Sequence, residues 1–197
     1  MLEPLEDYSS FSDNELVLLA LKNQAIFAIL MNRYSEKLTR YAQRISNLRT
    51  EEVEDVIQEV FIKVYKNLND FESDLRFSSW IYRITHNQVI SHHRAKNARP
   101  QTVEIDDALA NRLRAEVDLT KEIISQDLKV EIATLLAKLK PIHREILVLR
   151  FFEEKSYEEI SDILKKPSGS VATLIYSAKK ELKEKYEKSE RQSPGKN

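Results

Sequence analysis

Three observations predict an all-α chain of two small helical domains joined by a flexible linker. Only two glycines and five prolines occur in 197 residues, against abundant Leu, Ile, Glu and Lys, a composition of good helix formers. Apolar residues recur at three- and four-residue spacing along most of the chain. That pattern lapses between residues 97 and 120, where Pro100 and the acids Glu104, Asp106 and Asp107 stand among scattered polar residues, so a linker is expected there.

Composition bounds the function. Thirty-one basic and thirty-two acidic residues leave a net charge of −1, so any nucleic-acid contact has to be local. The absence of cysteine excludes disulfides and thiolate metal sites and is compatible with a reducing cytoplasm. Apolar runs such as residues 25–31 fall far short of the ~20 residues of a membrane span. The acidic N-terminus lacks a basic leader region, so no membrane insertion is expected. No phosphate-binding glycine loop or nucleophile constellation stands out, and neither an enzyme nor a cofactor is expected. His86, His92 and His93 are not spaced i, i+3 or i+4, so they do not form a helical metal pair.

The elements follow in order. Residues 1–11 read as a mobile N-terminus. Ser12 and Glu15 have capping-box spacing and open a short helix to about Lys22. After Asn23-Gln24, a longer helix carries Phe27, Leu30, Met31, Tyr34, Leu38, Tyr41, Ala42 and Ile45 on one face. Arg33, Lys37, Arg40 and Arg44 form a basic stripe on another, read as a solvated face. Residues 47–50 turn the chain into an acidic helix whose core stripe holds Val53, Val56, Ile57, Val60, Phe61, Val64 and Leu68. Asp55, Gln58, Glu59 and Ile62 make a second stripe, which suits either water or a partner helix.

Asn69 to Asp74 end that helix. Residues 76–96 then contain no acid, and interleave Arg76, Arg83, Arg94 and Lys96 with Phe77, Trp80, Tyr82 and three histidines. Cations neutralise phosphate and flat rings stack on bases, so this mixture suits a single-stranded nucleic acid. Part of the set, Trp80, Ile81, Ile84 and Val89, equally suits a core, and Trp80 is expected to be partly buried. The first domain spans 12–96.

Order returns in a second domain at 121–188, with a further short helix possible at 109–113. Val130, Ala133, Leu135, Leu136 and Leu139 predict a helix ending before Pro141, and residues 142–152 another. Ser156 and Glu159 form a second capping box, opening a helix with Ile160, Ile163 and Leu164 inward. Residues 165–169 make a turn, and the last helix, about 168–188, turns Val171, Leu174, Ile175, Ala178 and Leu182 inward. Two helices joined by a short turn, the second rich in lysine, describe a helix-turn-helix. The tail, 189–197, is uninformative.

Residues 55–65, DVIQEVFIKVY, followed by FSSWIYRI at 77–84 and then Asn87, resemble conserved region 2 of bacterial sigma factors. The group most alike is the small extracytoplasmic-function (ECF) class of the sigma-70 family. PIHREIL at 141–147 and SYEEI at 156–160 resemble sigma region 4. The resemblance implies a promoter-specificity subunit that binds the clamp helices and flap of core RNA polymerase and promoter DNA, with an anti-sigma factor as a further partner. It assigns polymerase binding to Asp55, Gln58, Glu59 and Ile62. Contact with the −10 element falls to the loop residue Phe71, to Arg76, Phe77, Ser78, Ser79 and Trp80, and to Arg83, Asn87 and Arg94. Contact with the −35 element falls to Ser168, Ser170, Thr173, Tyr176, Lys179 and Lys180. In that family the linker threads toward the RNA exit channel.

The chain departs from the pattern at Ser91, where an aspartate is common, and at Lys165, where the turn usually has glycine. Ala172, Leu174 and Ser177 stand where basic residues are usual, which predicts weaker −35 binding. Two other readings remain: a stand-alone helix-turn-helix regulator, and a sigma-like adaptor that binds only proteins.

Overall fold

The computed structural model describes residues 8–72, 75–97, 132 and 134–192, and every regular element among them is helical. The predicted linker, the short helix at 109–113 and the terminal segments 1–7 and 193–197 lie outside the described residues, as do Val130 and Ala133.

Four helices build the first domain: α1 (Asp13–Ala20), α2 (Phe27–Ile45), α3 (Thr50–Lys66) and α4 (Phe77–Asn97). Ser12 caps α1 as its spacing predicts. Its hydroxyl accepts from the Glu15 N–H at 3.3 Å, and the Glu15 carboxylate accepts from the Ser12 N–H at 2.8 Å. The helix stops at Ala20, ahead of the expected Lys22, because the Leu21, Lys22 and Asn23 amides already bond to Val17 and Leu19 carbonyls in a tightening turn. Asn23 then caps a single 3₁₀ turn, Gln24–Ile26, that leads into α2.

The predicted apolar faces of α2 and α3 meet. Leu30, Tyr34, Leu38, Tyr41 and Ala42 are buried against Val53, Val56, Val60 and Val64. Helix α4 closes the domain, with Phe77, Trp80, Ile81 and Val89 in the same core. Its start is pinned from α1: the Asn14 side chain donates to the Leu75 carbonyl at 3.3 Å and accepts from the Phe77 N–H at 3.4 Å.

In the second domain, residues 134–137 are helical and α5 (Pro141–Leu147) begins with proline at its first turn, where a missing N–H loses no bond. The single helix expected to Phe152 changes character at Val148–Phe152, which is π-helical. The wider turn keeps Val148 and Leu149 in the core while leaving Phe151 exposed. Helix α6 (Tyr157–Leu164) starts from the predicted capping box, with Glu159 N–H donating to Ser156 Oγ at 3.2 Å. Helix α7 (Ser168–Gln192) runs past the expected Lys188. Ile160, Ile163, Val171, Ile175 and Ala178 lock α6 and α7 together as the predicted helix-turn-helix.

The domains are in contact: α4 packs on α6, and α2 on α5 and the π-helical segment. The α2 basic stripe read as a solvated face is divided: Lys37 stays exposed, while Arg44 and Arg33 are engaged within the protein. Arg44 is buried and pairs with Glu153 of the second domain at 3.0 Å, and Arg33 pairs with Asp13 of α1 at 2.6 Å.

Lys165, at the turn, adopts the left-handed conformation with φ 51° and ψ 47°. A side chain there is strained by about 1–2 kcal/mol, which glycine avoids. Lys165→Gly should therefore stabilise the helix-turn-helix by about 1 kcal/mol, raising the melting temperature by about 2–4 °C. Differential scanning fluorimetry checks it, and a lower melting temperature would refute the strain.

Candidate functional site

Three exposed surfaces carry the candidate residues. The first is the outer face of α3. Asp55, Gln58, Glu59 and Ile62 are all exposed, Ile62 by 53 %, and Tyr65 joins them at 40 %. Beside this face α2 and α3 diverge around a cleft of about 710 Å³, its apolar lining contributed by Phe27, Met31, Ile57, Phe61, Ile62 and Tyr65. Gln58 and Glu54 add polar groups to the lining. The predicted stripe is thereby split. Gln58 and Ile62 line the cleft, Asp55 lies outside it, and Glu59 accepts a hydrogen bond from the Gln88 amide of α4. Gln88 in turn accepts from Lys63, so Glu59 also braces α3 against α4. The α2 contribution escaped sequence reading. Phe27 is buried as its spacing predicts, and its ring also leans on Tyr65 at 5.2 Å, a pairing that only the helix packing creates.

The second surface is α4. Its predicted contact residues divide into two groups. Phe77, Ser79 and Trp80 are buried, and this corrects their reading as groups offered to DNA. Phe77 and Trp80 stack with Phe71 in a cluster with centroid separations of 5.3–5.8 Å, and Tyr34 meets Phe77 edge-on at 5.5 Å. Phe77 and Trp80 held this way fill the core and have no free face for a base. Arg76, Asn87 and Arg94 are exposed, and Arg83 is half-buried. Their numbers differ by seven, four and seven, so they share one helical stripe. That stripe is a basic and amide-bearing track able to follow a phosphate backbone.

Arg76 and Ser78, at one end of the track, are engaged within the protein. Arg76 lies 3.4 Å from Glu159, and Ser78 donates to the same carboxylate at 3.5 Å. Of the three histidines, His86 places Nδ1 2.6 Å from Glu145. Among the described residues no cluster of three metal-ligating side chains forms.

The third surface is α7. Ser168, Ser170, Thr173, Tyr176, Lys179 and Lys180 are all exposed, Tyr176 by 72 %. Thr173 donates to the Gly169 carbonyl at 3.0 Å, so its hydroxyl is partly committed to its own helix. Lys179 stands 5.1 Å over the ring of Phe151, which the π-helical segment brings beside α7. The position of Phe151 depends on the bulge, and helical periodicity alone does not reveal it.

Two glutamates on the second domain hold their charge unusually firmly. Burial alone would raise the Glu159 pKa, but the Ser156 N–H and the charges of Lys155 and Arg76 outweigh it, and the net shift is downward. Glu181 behaves alike: burial opposes the charge, while His143 and the Lys140 N–H more than compensate.

A two-domain helical protein with a largely apolar cleft whose lining charges, Glu54 and Lys66, balance, a basic α4 track and a helix-turn-helix is thus defined. The family described as Sigma-70 region 2 matches residues 30–99, and that described as Sigma-70, region 4 matches residues 129–182. The ECF RNA polymerase sigma-E factor of Escherichia coli K12 is 31% identical over 170 residues, covering 83% of this chain and 87% of that protein. The ECF RNA polymerase sigma factor SigW of Bacillus subtilis is 30% identical over 170 residues, covering 82% and 89%. A chain in the structure of CnrH in complex with the cytosolic domain of CnrY superposes with a TM-score of 0.66 at 25% identity, covering 89% of this chain and 97% of that one. A chain in the complex of the sigma factor RpoE with the anti-sigma factor NepR from Bartonella quintana shares the fold, with a TM-score of 0.60 at 20% identity and coverage of 80% and 94%. The chain belongs to the ECF group of the sigma-70 family of RNA polymerase sigma factors. No helix among the described residues is long and apolar enough to cross a membrane.

Two outcomes follow. Trp80→Ala should cost about 3–5 kcal/mol of stability, whereas Asn87→Ala should change it by less than about 0.5 kcal/mol. Denaturant midpoints measure both, and a silent Trp80→Ala would contradict its core role. The second concerns acid. Glu159 and Glu181 have folded pKa values below the ordinary 4.5, so their stabilisation is present above that value and disappears as pH falls through the lower folded values. The loss of melting temperature between about pH 6 and pH 3 should be smaller in Glu181→Gln than in the parent; equal losses would remove Glu181 from the account.

Proposed function

We propose that this chain directs core RNA polymerase to specific promoters and helps to open the −10 element. The observation that carries the reading is the separation of the exposed residues into an apolar cleft on α2 and α3 flanked by the exposed acids Asp55 and Glu59, a basic track on α4 and an exposed recognition face on α7. An apolar cleft with the exposed acids Asp55 and Glu59 beside it suits an amphipathic helix with basic flanks, so the polymerase clamp helices are assigned there, with Gln58 and Ile62 at the contact and Asp55 beside it. The α4 track follows the displaced strand. Arg83, Asn87 and Arg94 make the outer contacts, and Arg76 and Ser78 make theirs once released from Glu159. Phe71 is the one ring of the aromatic cluster that is only partly buried, which makes it the candidate for stacking. Unstacking costs a few kcal/mol per step, which such contacts offset.

On α7, Ser170, Thr173 and Tyr176 are assigned to the −35 bases, and Ser168, Lys179 and Lys180 to phosphates. With few cations early in that helix, −35 binding is weak and shallow in its salt dependence. Of the similar solved structures, CnrH is in complex with the cytosolic domain of CnrY, and RpoE with the anti-sigma factor NepR. A protein of that kind is proposed here too.

Gln58→Ala combined with Ile62→Asp should weaken binding to bacterial core polymerase at least about 30-fold, with helical content unchanged by circular dichroism. Undiminished binding would sink the docking assignment. Run-off transcription on fragmented source DNA tests the whole reading: starts that require the protein support it, and starts that do not depend on it overturn it.

A further inference from the structure

Glu59 and Lys63 lie four residues apart on the exposed side of α3. The acid is nearer the N-terminus, the order in which such a pair closes most readily on a helix. Elsewhere in the chain charges at this spacing do pair directly: Glu181 with Lys185 at 3.9 Å, Lys183 with Glu187 at 3.8 Å, and Glu36 with Arg40. Glu59 and Lys63 instead hold a third group between them. The Gln88 amide of α4 donates through Nε2 to Glu59 Oε2 and accepts through Oε1 from the Lys63 ammonium.

Chemistry fixes the orientation of that amide. An ammonium can only donate and an ionised carboxylate can only accept, so the group fits in one way. Gln88 is 6 % exposed, and the residue after it, Val89, lies in the core. The two charges that it touches are both exposed. A side chain anchored in the packed part of α4 therefore governs two long side chains on the surface of α3.

The consequence is a carboxylate with one oxygen committed and the other available. Among the described residues Glu59 Oε1 has no hydrogen-bond partner, since the amide engages Oε2 alone. Direct pairing with Lys63 would neutralise the acid where it stands and leave less of its charge for a cation on another molecule. Asp55, Glu59 and Ile62 follow one another at steps of four and three residues, so the held carboxylate stays in the row that borders the cleft.

We propose that Gln88 is a positioning residue for polymerase docking: its buried amide stands between Glu59 and Lys63, keeps them from pairing with each other, and holds the Glu59 carboxylate out for a basic group of the polymerase. The inference rests on the docking reading above and adds to it a residue on α4, outside the contact itself. It also gives α4 a part in docking through a residue next to Asn87 of the basic track.

Gln88→Met keeps the side-chain length and removes both hydrogen bonds. Because Glu59 and Lys63 are exposed, neither charge is left buried without a partner. Affinity of the full chain for bacterial core polymerase, read by biolayer interferometry, should fall about ten-fold. Lys63→Met alone should leave it within about two-fold of the parent. The double variant Gln88→Met with Lys63→Met should recover most of the loss, because the competing cation is gone. A purely structural role for Gln88 predicts no such rescue. Circular dichroism confirms that each variant keeps its helices, and Gln88→Leu with the same rescue serves if Gln88→Met loses them. Unchanged affinity in Gln88→Met, or a loss that Lys63→Met does not relieve, overturns the positioning role. If that happens while Gln58→Ala with Ile62→Asp still weakens docking, the docking reading stands without it; if neither set weakens docking, both fall.

Discussion

Burial of one face of α4 is the constraint from which the remaining architecture follows. Phe77, Trp80, Ile81 and Val89 sit in the core with α2 and α3, and large aromatic side chains of this kind carry a major share of the burial free energy of a small domain. Arg83, Asn87 and Arg94 then fall on a stripe along the edge of that buried face, in line with Trp80 and with Arg76 just ahead of the helix. The basic track is thus a by-product of the packing, and it stays straight because a rigid helix supports it. Asn14, which brackets the first turn of α4 from α1, links the N-terminal cap to the register of that track.

The two domains solve different problems with the same element. In the first, apolar burial supplies stability and leaves polar groups for function. The contact between domains continues that apolar core and adds directional pairs to it: Tyr41 with Glu145, Arg44 and Tyr82 with Glu153, Arg76 with Glu159. Burial raises the pKa of the Tyr41 and Tyr82 hydroxyls, and the neighbouring glutamates raise them further, so both remain proton donors to those carboxylates. Lys155 shows the converse: burial lowers its pKa, against the opposing pull of Glu159 and Glu153.

Much of the fold was legible because it rests on local rules. The Ser12 and Ser156 capping boxes, the Pro141 start, and the apolar stripes of α2, α3, α6 and α7 each depend on residues within one or two turns. The π-helical segment was not legible, because Val148 to Phe152 has an ordinary helical pattern and only the packing of Val148 and Leu149 demands the wider turn. The candidate site was legible in part. Gln58, Ile62, Arg83, Asn87 and the α7 residues emerge as exposed, whereas Phe77 and Trp80 look identical in sequence whether they stack on a base or on Phe71.

By itself, the sequence determined the helices, their caps, the division into two domains and the family, since periodicity, capping and motif spacing are properties of neighbouring residues. Only the tertiary structure decided which faces are free. Met31 reaches the α3 cleft, Arg44 leaves the solvated stripe for Glu153, and Arg76 is drawn to Glu159, through contacts between residues tens to more than a hundred positions apart. No local pattern encodes such contacts, because they arise from the angle and depth at which whole helices pack.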